Sequence, residues 1–435
     1  MSDQITGATA SDIADSVRSL RDRGILQAGS VLPPVRELAA TLGVNRNTAV
    51  AAYRQLAQAG LVISRGRAGT VVAGLESVAQ EGYAPDTVLR DIGTGNPDPR
   101  LIPDPASALM TIASRPVLYG EPVIDRGLDE WARRWMSADL GDIDFRITVT
   151  SGAVDAVERL LAQALMRDDA VALEDPCFLA SIHTVRLGGY RAVPVPVDAE
   201  GMTVEGLRAA LDAGVRAIIC TPRAQNPTGA SLTATRAAEL RAVLADHPYV
   251  LIIEDDHFSM LSRQPYESLI GSEHRRFALV RSVSKFLGPD MCLAIAATDA
   301  ETAERLAMRL SPGTTWVSHL LQRLALTQLT DESVMAEVAA AASHYAERNA
   351  AFAERLRVGG LDATPTDGLS LWVEFPRPAR TVADRLMRRG WLARTGDDFA
   401  LDDRAEPSHH LRLTVHDLSE DETEALVADL VAAGR

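Results

Sequence analysis

The chain has 435 residues, 46% hydrophobic and 24% charged, the balance of an ordinary globular protein with room for two or three folding units. No apolar run is long enough for a membrane span, the polar N-terminus lacks the regions of a signal peptide, and Cys177, Cys220 and Cys292 show no metal or redox spacing, so a cytoplasmic protein without a metal site or membrane partner is expected. A net charge of −15 argues against nucleic-acid binding by the whole chain, but residues 1–74 carry eight arginines against five acids, leaving −18 for the rest and pointing to DNA contact at one end only.

Residues 8–26 place Ile13, Val17 and Leu20 at helical spacing and stop at Gly24. Pro33 and Pro34 suit the first turn of a second helix, VRELAATL. Gly43 allows a tight turn, and Asn45 can cap a third helix that Gly60 closes. Two short strands, LVISR and GTVVA, complete the order of a winged helix over residues 1–74. Residues 75–90 are polar and weakly patterned and read as a linker. From 91 onward, apolar strands (ITVTSG, AVALED, AVPVPV, AIICTP, VLIIED, FALVRSVS, CLAIAAT) alternate with helical stretches, which predicts a parallel-dominated α/β sheet over about 91–300. Helices follow, and LSLWVEF and HLRLTVH are the strand candidates of a smaller α+β subdomain over about 345–435.

Of 44 lysines and arginines, a single residue, Lys285, is lysine. Where arginine has replaced lysine everywhere else, the surviving one is expected to need a primary amine. Guanidinium stays protonated, whereas an amine can lose its proton and attack a carbonyl.

The run LPPVRELAATLGVNRNTAVAAYRQL and the wing GTVV closely resemble the winged-helix domain of the GntR family. The resemblance implies that Arg36 and Arg46 meet double-stranded operator DNA, with Asn45, Asn47 and Thr48 near base edges or phosphates and the wing tip Arg67–Gly69 near the minor groove. Physical chemistry agrees: an arginine near the start of a recognition helix can read guanine bidentately, and a helix N-terminus favours phosphate.

Residues 91–435 resemble the class I aminotransferases of fold type I, and the pair of domains resembles the MocR-type regulators within the GntR family. The overall expectation is an N-terminal winged helix-turn-helix plus an α/β aminotransferase-like body with a small C-terminal α+β subdomain. By resemblance, Lys285 in RSVSK would carry pyridoxal phosphate (PLP) as an aldimine. Asp255 in IIEDDHF would pair with the pyridine nitrogen and keep it protonated, and Asn226 in QNPTG would hydrogen-bond the phenolic oxygen. Phe178 would stack on the ring. Ser151, Gly152 and Ala153 would hold the phosphate at a helix N-terminus, with Ser282 and Ser284 beside them. Tyr119 would reach the phosphate of a neighbouring subunit, which implies a homodimer, and Arg412 would grip a ligand's α-carboxylate bidentately.

Three positions depart from the family. Cys292 replaces the usual phosphate-binding arginine, which weakens the expected hold on PLP. His257 stands where a tyrosine normally donates to the phenolic oxygen, and Ile124 where glycine is usual. The expected function is a transcription regulator that senses PLP or an amino-acid-like effector, rather than an enzyme. A working aminotransferase with a DNA-binding appendage, and a regulator whose body has lost PLP, are the alternatives.

Overall fold

Thr9 opens the first helix, α1 (Ala10–Asp22), through a capping box: its hydroxyl accepts from the Asp12 N–H, and the Asp12 carboxylate accepts from the Thr9 N–H. The structure is a computed structural model describing residues 4–64, 69–72, 81–84, 87–112, 115–310, 316–401 and 406–435. It divides into two units, Met1–Ala79 and Gln80–Arg435. In the first, Pro34 caps α2 (Val35–Leu42) and Val35 is its first helical residue, so both prolines stand just before the helix rather than inside it. Gly43, at φ +66, takes the left-handed turn that a side chain would resist, and the Asn45 Oδ1 accepts from the Asn47 N–H at 2.8 Å to start α3 (Arg46–Gln58). β1 (Val62–Ser64) and β2 (Thr70–Val72) pair antiparallel. Ile13, Val17, Leu20, Leu38, Leu56 and Val72 form the core of this unit. The buried Tyr53 hydroxyl donates to the Pro33 carbonyl at 2.6 Å, fixing α3 against the start of α2.

In the second unit, β3 (Arg90–Asp91), α4 (Ala106–Leu109) and α5 (Arg126–Leu140) precede the main sheet. Then come β4 (Arg146–Thr150), α6 (Ala153–Ala164), β5 (Ala170–Asp175), α7 (Leu179–Leu187), β6 (Arg191–Asp198), β7 (Gly201–Met202), α8 (Val204–Asp212) and β8 (Ala217–Cys220). α9 (Ala234–Leu244), β9 (Leu251–Asp255), β10 (Phe277–Ser282), β11 (Ala294–Thr298) and α10 (Ala300–Leu310) complete this part. Strands occur at all seven segments that the sequence marks. Successive residues leave a strand on opposite faces, so Ile218, Ile252, Leu279 and Ile295 enter one apolar layer while Ile219, Ile253, Val280 and Ala296 enter the other. Helices cover both layers, which is why the strands read as unbroken apolar runs.

The strand order is β4-β11-β10-β9-β8-β5-β6-β7. β11 runs antiparallel to both its neighbours, so β4 points the same way as the parallel set. The carboxyl ends of β4, β9 and β10 therefore meet at one edge: Thr150 lies opposite Ala294, Ala294 opposite Ser282, and Val280 beside Asp255. In open α/β sheets this edge is where ligands bind.

α11 (His319–Leu329) and the long α12 (Glu332–Val358) lead to β12 (Leu371–Glu374), α13 (Ala379–Met387), β13 (Trp391–Leu392), β14 (Arg394–Thr395), β15 (His410–Leu413) and α14 (Glu420–Gly434). β15 is the centre of a three-stranded antiparallel sheet, order β12-β15-β14. This subdomain is not confined to the C-terminus as the sequence suggests. β13 pairs with β3, and Ile92 is buried in the same core as Leu371, Leu411 and Leu426. Residues 90–92 are thereby drawn into the C-terminal subdomain.

Candidate functional site

Lys285 follows β10, and its Nζ donates to the Gly95 carbonyl at 3.3 Å. Burial, the largest influence, lowers its pKa and Arg412 acts in the same sense, while Glu81 and Asp255 oppose them. A lysine so placed gives up its proton more readily and becomes a nucleophile.

Asp255 ends β9, buried, and its Oδ1 has no hydrogen-bond partner among the described residues. Burial and the adjacent Asp256 push its pKa up to about 7, with Lys285 pulling the other way. Asp256 points to the other face of the chain, where Arg223 donates to both its oxygens at 2.8 Å and Arg281 donates at 2.8 Å. Of two neighbouring carboxylates, one is satisfied within the fold and one lacks a cationic donor. A protonated pyridine nitrogen is such a donor.

Around Asp255, His257 is held neutral, its pKa pulled down to about 4 by burial first and then by the Lys285 charge. Its ring lies near-parallel to Phe178, 13° between planes and 6.4 Å between centroids. Asn226 is already engaged, its Oδ1 accepting from Arg412 at 3.0 Å. Lys285, His257, Asn226, Gly95, Ser370 and Arg412 line one cavity.

At the other end of this edge, Gly152 takes φ +95 and caps α6, with Ser151 before it and Ala153 as first helical residue. The Ser151 N–H donates to Asp155 at 3.1 Å. Cys292, exposed, donates from Sγ to the Ser151 carbonyl at 3.4 Å, so the departure noted in the sequence lies against this helix start. Ser282 accepts from the Ser284 N–H at 3.1 Å, shaping the turn that delivers Lys285. Tyr119 is 89% exposed and rests on Trp316 at 5.3 Å, so within one chain it is not buried against these residues. Ile124 packs at the margin of the large core.

Arg412, on β15, holds a partner that the sequence reading missed. Its Nη1 and Nη2 donate to Oε1 and Oε2 of Glu81 at 2.7 and 2.8 Å, a bidentate clamp. Nη2 also donates to the Gly93 carbonyl at 2.6 Å, and the guanidinium lies 4.8 Å from the Phe399 ring. The Asn226 amide donates to Glu81 Oε1 at 3.3 Å. Burial pushes the Glu81 carboxyl up, but Arg412, with Lys285 and Arg394, outweighs it and leaves the pKa below its ordinary value. Gly95 makes the approach possible: a Cβ there would stand 2.7 Å from Glu81 Oε2 and 2.9 Å from Arg412 Nη2. The sequence places Glu81 in a polar linker, where a lone acid carries no signal of burial.

In the winged helix, Arg36 on α2 and Arg46 at the start of α3 are exposed, with no ion pair among the described residues. Asn47 is exposed beside them and Thr48 is half-buried. The Asn45 side-chain oxygen is committed to its helix cap. Gly69 takes φ +87, while Arg67 lies outside the described residues.

Family comparison matches "Aminotransferase class I and II" to residues 135–430 and "Bacterial regulatory proteins, gntR family" to residues 9–72. The vitamin B6 salvage pathway transcriptional repressor PtsJ of Salmonella typhimurium is 45% identical over 427 residues, 98% of each chain. The HTH-type pyridoxine biosynthesis transcriptional regulator PdxR of Corynebacterium glutamicum is 29% identical over 263 residues, 57% of this chain and 56% of that one. Among solved structures, Pyrococcus horikoshii kynurenine aminotransferase superposes with a TM-score of 0.70 over 80% of this chain and 91% of its own, at 20% identity, a likeness of fold.

Proposed function

We propose, for a chain that belongs to the aminotransferase class I and II family and to the MocR-type regulators of the GntR family, that it is a transcription regulator whose body holds PLP on Lys285 and whose grip on DNA answers to that ligand. The observation that carries this reading is the sole lysine, its pKa lowered, near a buried Asp255 oxygen that has no hydrogen-bond partner among the described residues. The residues present fit PLP. Asp255 would meet the ring nitrogen, Asn226 and His257 the phenolic oxygen, and Phe178 the ring face. The backbone of Ser151–Ala153 with Ser282 and Ser284 would meet the phosphate, joined by Tyr119 of a second copy in a homodimer. Cys292 lacks the forked guanidinium of an arginine, so the hold is expected to be looser than an arginine would give. The chemistry PLP supplies when bound is an aldehyde for an amine and an electron-withdrawing ring.

Arg36, Arg46, Asn47 and Thr48 are the proposed DNA contacts, with Asn45 fixing the start of the recognition helix and the wing around Arg67 and Gly69 reaching the minor groove. The vitamin B6 salvage and pyridoxine biosynthesis roles of the Salmonella and Corynebacterium relatives support control of vitamin B6 supply. Ligand control requires PLP to favour one conformation over another.

The test is titration of wild type and Lys285→Ala with PLP, followed by absorbance, with affinity for a duplex selected on the cofactor-free protein measured on the same samples. Wild type should develop the Schiff-base band and change its affinity for the duplex, and the variant should do neither. A wild type that stays colourless would overturn PLP binding. Operator affinity indifferent to PLP would overturn sensing.

A further inference from the structure

Arg412 is 1% exposed, and the partner it grips is supplied by the chain itself. The pair has the shape of a guanidinium holding a free carboxylate: two parallel N–H···O bonds, one to each oxygen, with the Asn226 amide also donating to Oε1. Lys285 lies close enough for its charge to be felt by Glu81. Glu81 is thus bonded to Arg412 and Asn226, two of the residues that line one cavity with Lys285.

We propose that Glu81 is the resident occupant of the Arg412–Asn226 carboxylate clamp and makes the body selective: amines without a carboxylate reach the PLP carbon that Lys285 holds and release the lysine amine as they bond to it, while α-amino and α-keto acids are excluded until Glu81 is displaced. This rests on the reading that Lys285 and Asp255 hold PLP. The backbone at Gly95, at φ +63, leaves room for the pair. A side chain there would collide with both partners, so the backbone is cut back where Glu81 enters. Among the described residues, the segment 81–84 is tied to the body mainly by Gly82 N–H to the Thr94 carbonyl at 2.8 Å and Ala84 N–H to Asp91 at 2.9 Å, besides the clamp itself. An incoming carboxylate brings the same charge and the same two oxygens, so exchange leaves no buried arginine unpaired. What it must overcome is the high effective concentration of a tethered competitor.

L-alanine and ethylamine differ only in the α-carboxylate, which makes them the probes. In PLP-loaded protein, followed by coenzyme absorbance, Glu81→Ala should raise apparent affinity for L-alanine at least tenfold and leave that for ethylamine within twofold. Glu81→Gln, nearly isosteric, should give a smaller gain of the same pattern and covers the case in which the alanine variant folds poorly. A second arm needs no cofactor: pyruvate should raise the melting temperature of the cofactor-free variants and not of wild type. Equal affinities in all proteins, or equal gains for ethylamine and L-alanine, would overturn the proposal. Failure of wild type to take up PLP would instead count against the proposed function, and the pyruvate arm would still decide the role of Glu81.

Discussion

Asp255 is buried without a hydrogen-bond partner for its Oδ1 among the described residues, which disfavours its charged form, and Asp255→Asn isolates the energetic consequence. Its pKa rises from an ordinary 3.8 to about 7, chiefly through burial. The folded protein thus keeps a proton that the unfolded chain has released. This contribution to stability is complete below pH 4 and is lost as pH rises toward about 7. At 1.36 kcal/mol per pKa unit the full loss is roughly 4 kcal/mol, of which about 2–3 kcal/mol falls between pH 5 and pH 8. Asparagine has no proton to lose. Relative to wild type, the variant should therefore gain about 2–3 kcal/mol of stability on going from pH 5 to pH 8. Glu174 and Glu254, also raised to about 7 by burial, titrate in both proteins and cancel in the difference. Urea unfolding of cofactor-free protein by tryptophan fluorescence is the assay. All five tryptophans, from Trp131 to Trp391, lie in the body, so the signal excludes the winged helix. A difference between variant and wild type that does not change with pH would refute the reasoning.

Two further substitutions probe other levels of the structure. Arg46→Ala, at an exposed helix start, should cost about 1–3 kcal/mol of operator affinity in a gel-shift titration and leave the melting temperature unchanged. Arg281→Met removes a fully buried guanidinium that bonds Asp256 and Asp139 at 2.8 and 2.6 Å and lies 4.9 Å from the Trp135 and Tyr266 rings. Leaving Asp256 with Arg223 alone should cost about 3–5 kcal/mol in urea unfolding of the body.

Local pattern was enough to see much of this protein. The apolar spacing of α1, the Asn45 cap of α3, the left-handed Gly43 and the seven apolar strands are short-range features, written in residues a few positions apart. Lys285 was conspicuous as the single lysine, and the motifs around it lie in continuous segments. Tertiary structure decided what depends on distant segments meeting. Ser151 joins Asp255 and Lys285 at one edge because β11 pairs with β4, far earlier in the chain, with Ala294 opposite both Thr150 and Ser282. The difference between Asp255 and Asp256 appears only once Arg223 and Arg281 have folded onto one of them. Glu81 is the clearest instance, 331 residues from Arg412 and set in a stretch without periodicity. An acid on a linker and an arginine on a strand are each unremarkable alone. Pairing of β3 with β13 and the missing Cβ of Gly95 allow the two to meet, because a charge finds its partner in space rather than along the chain.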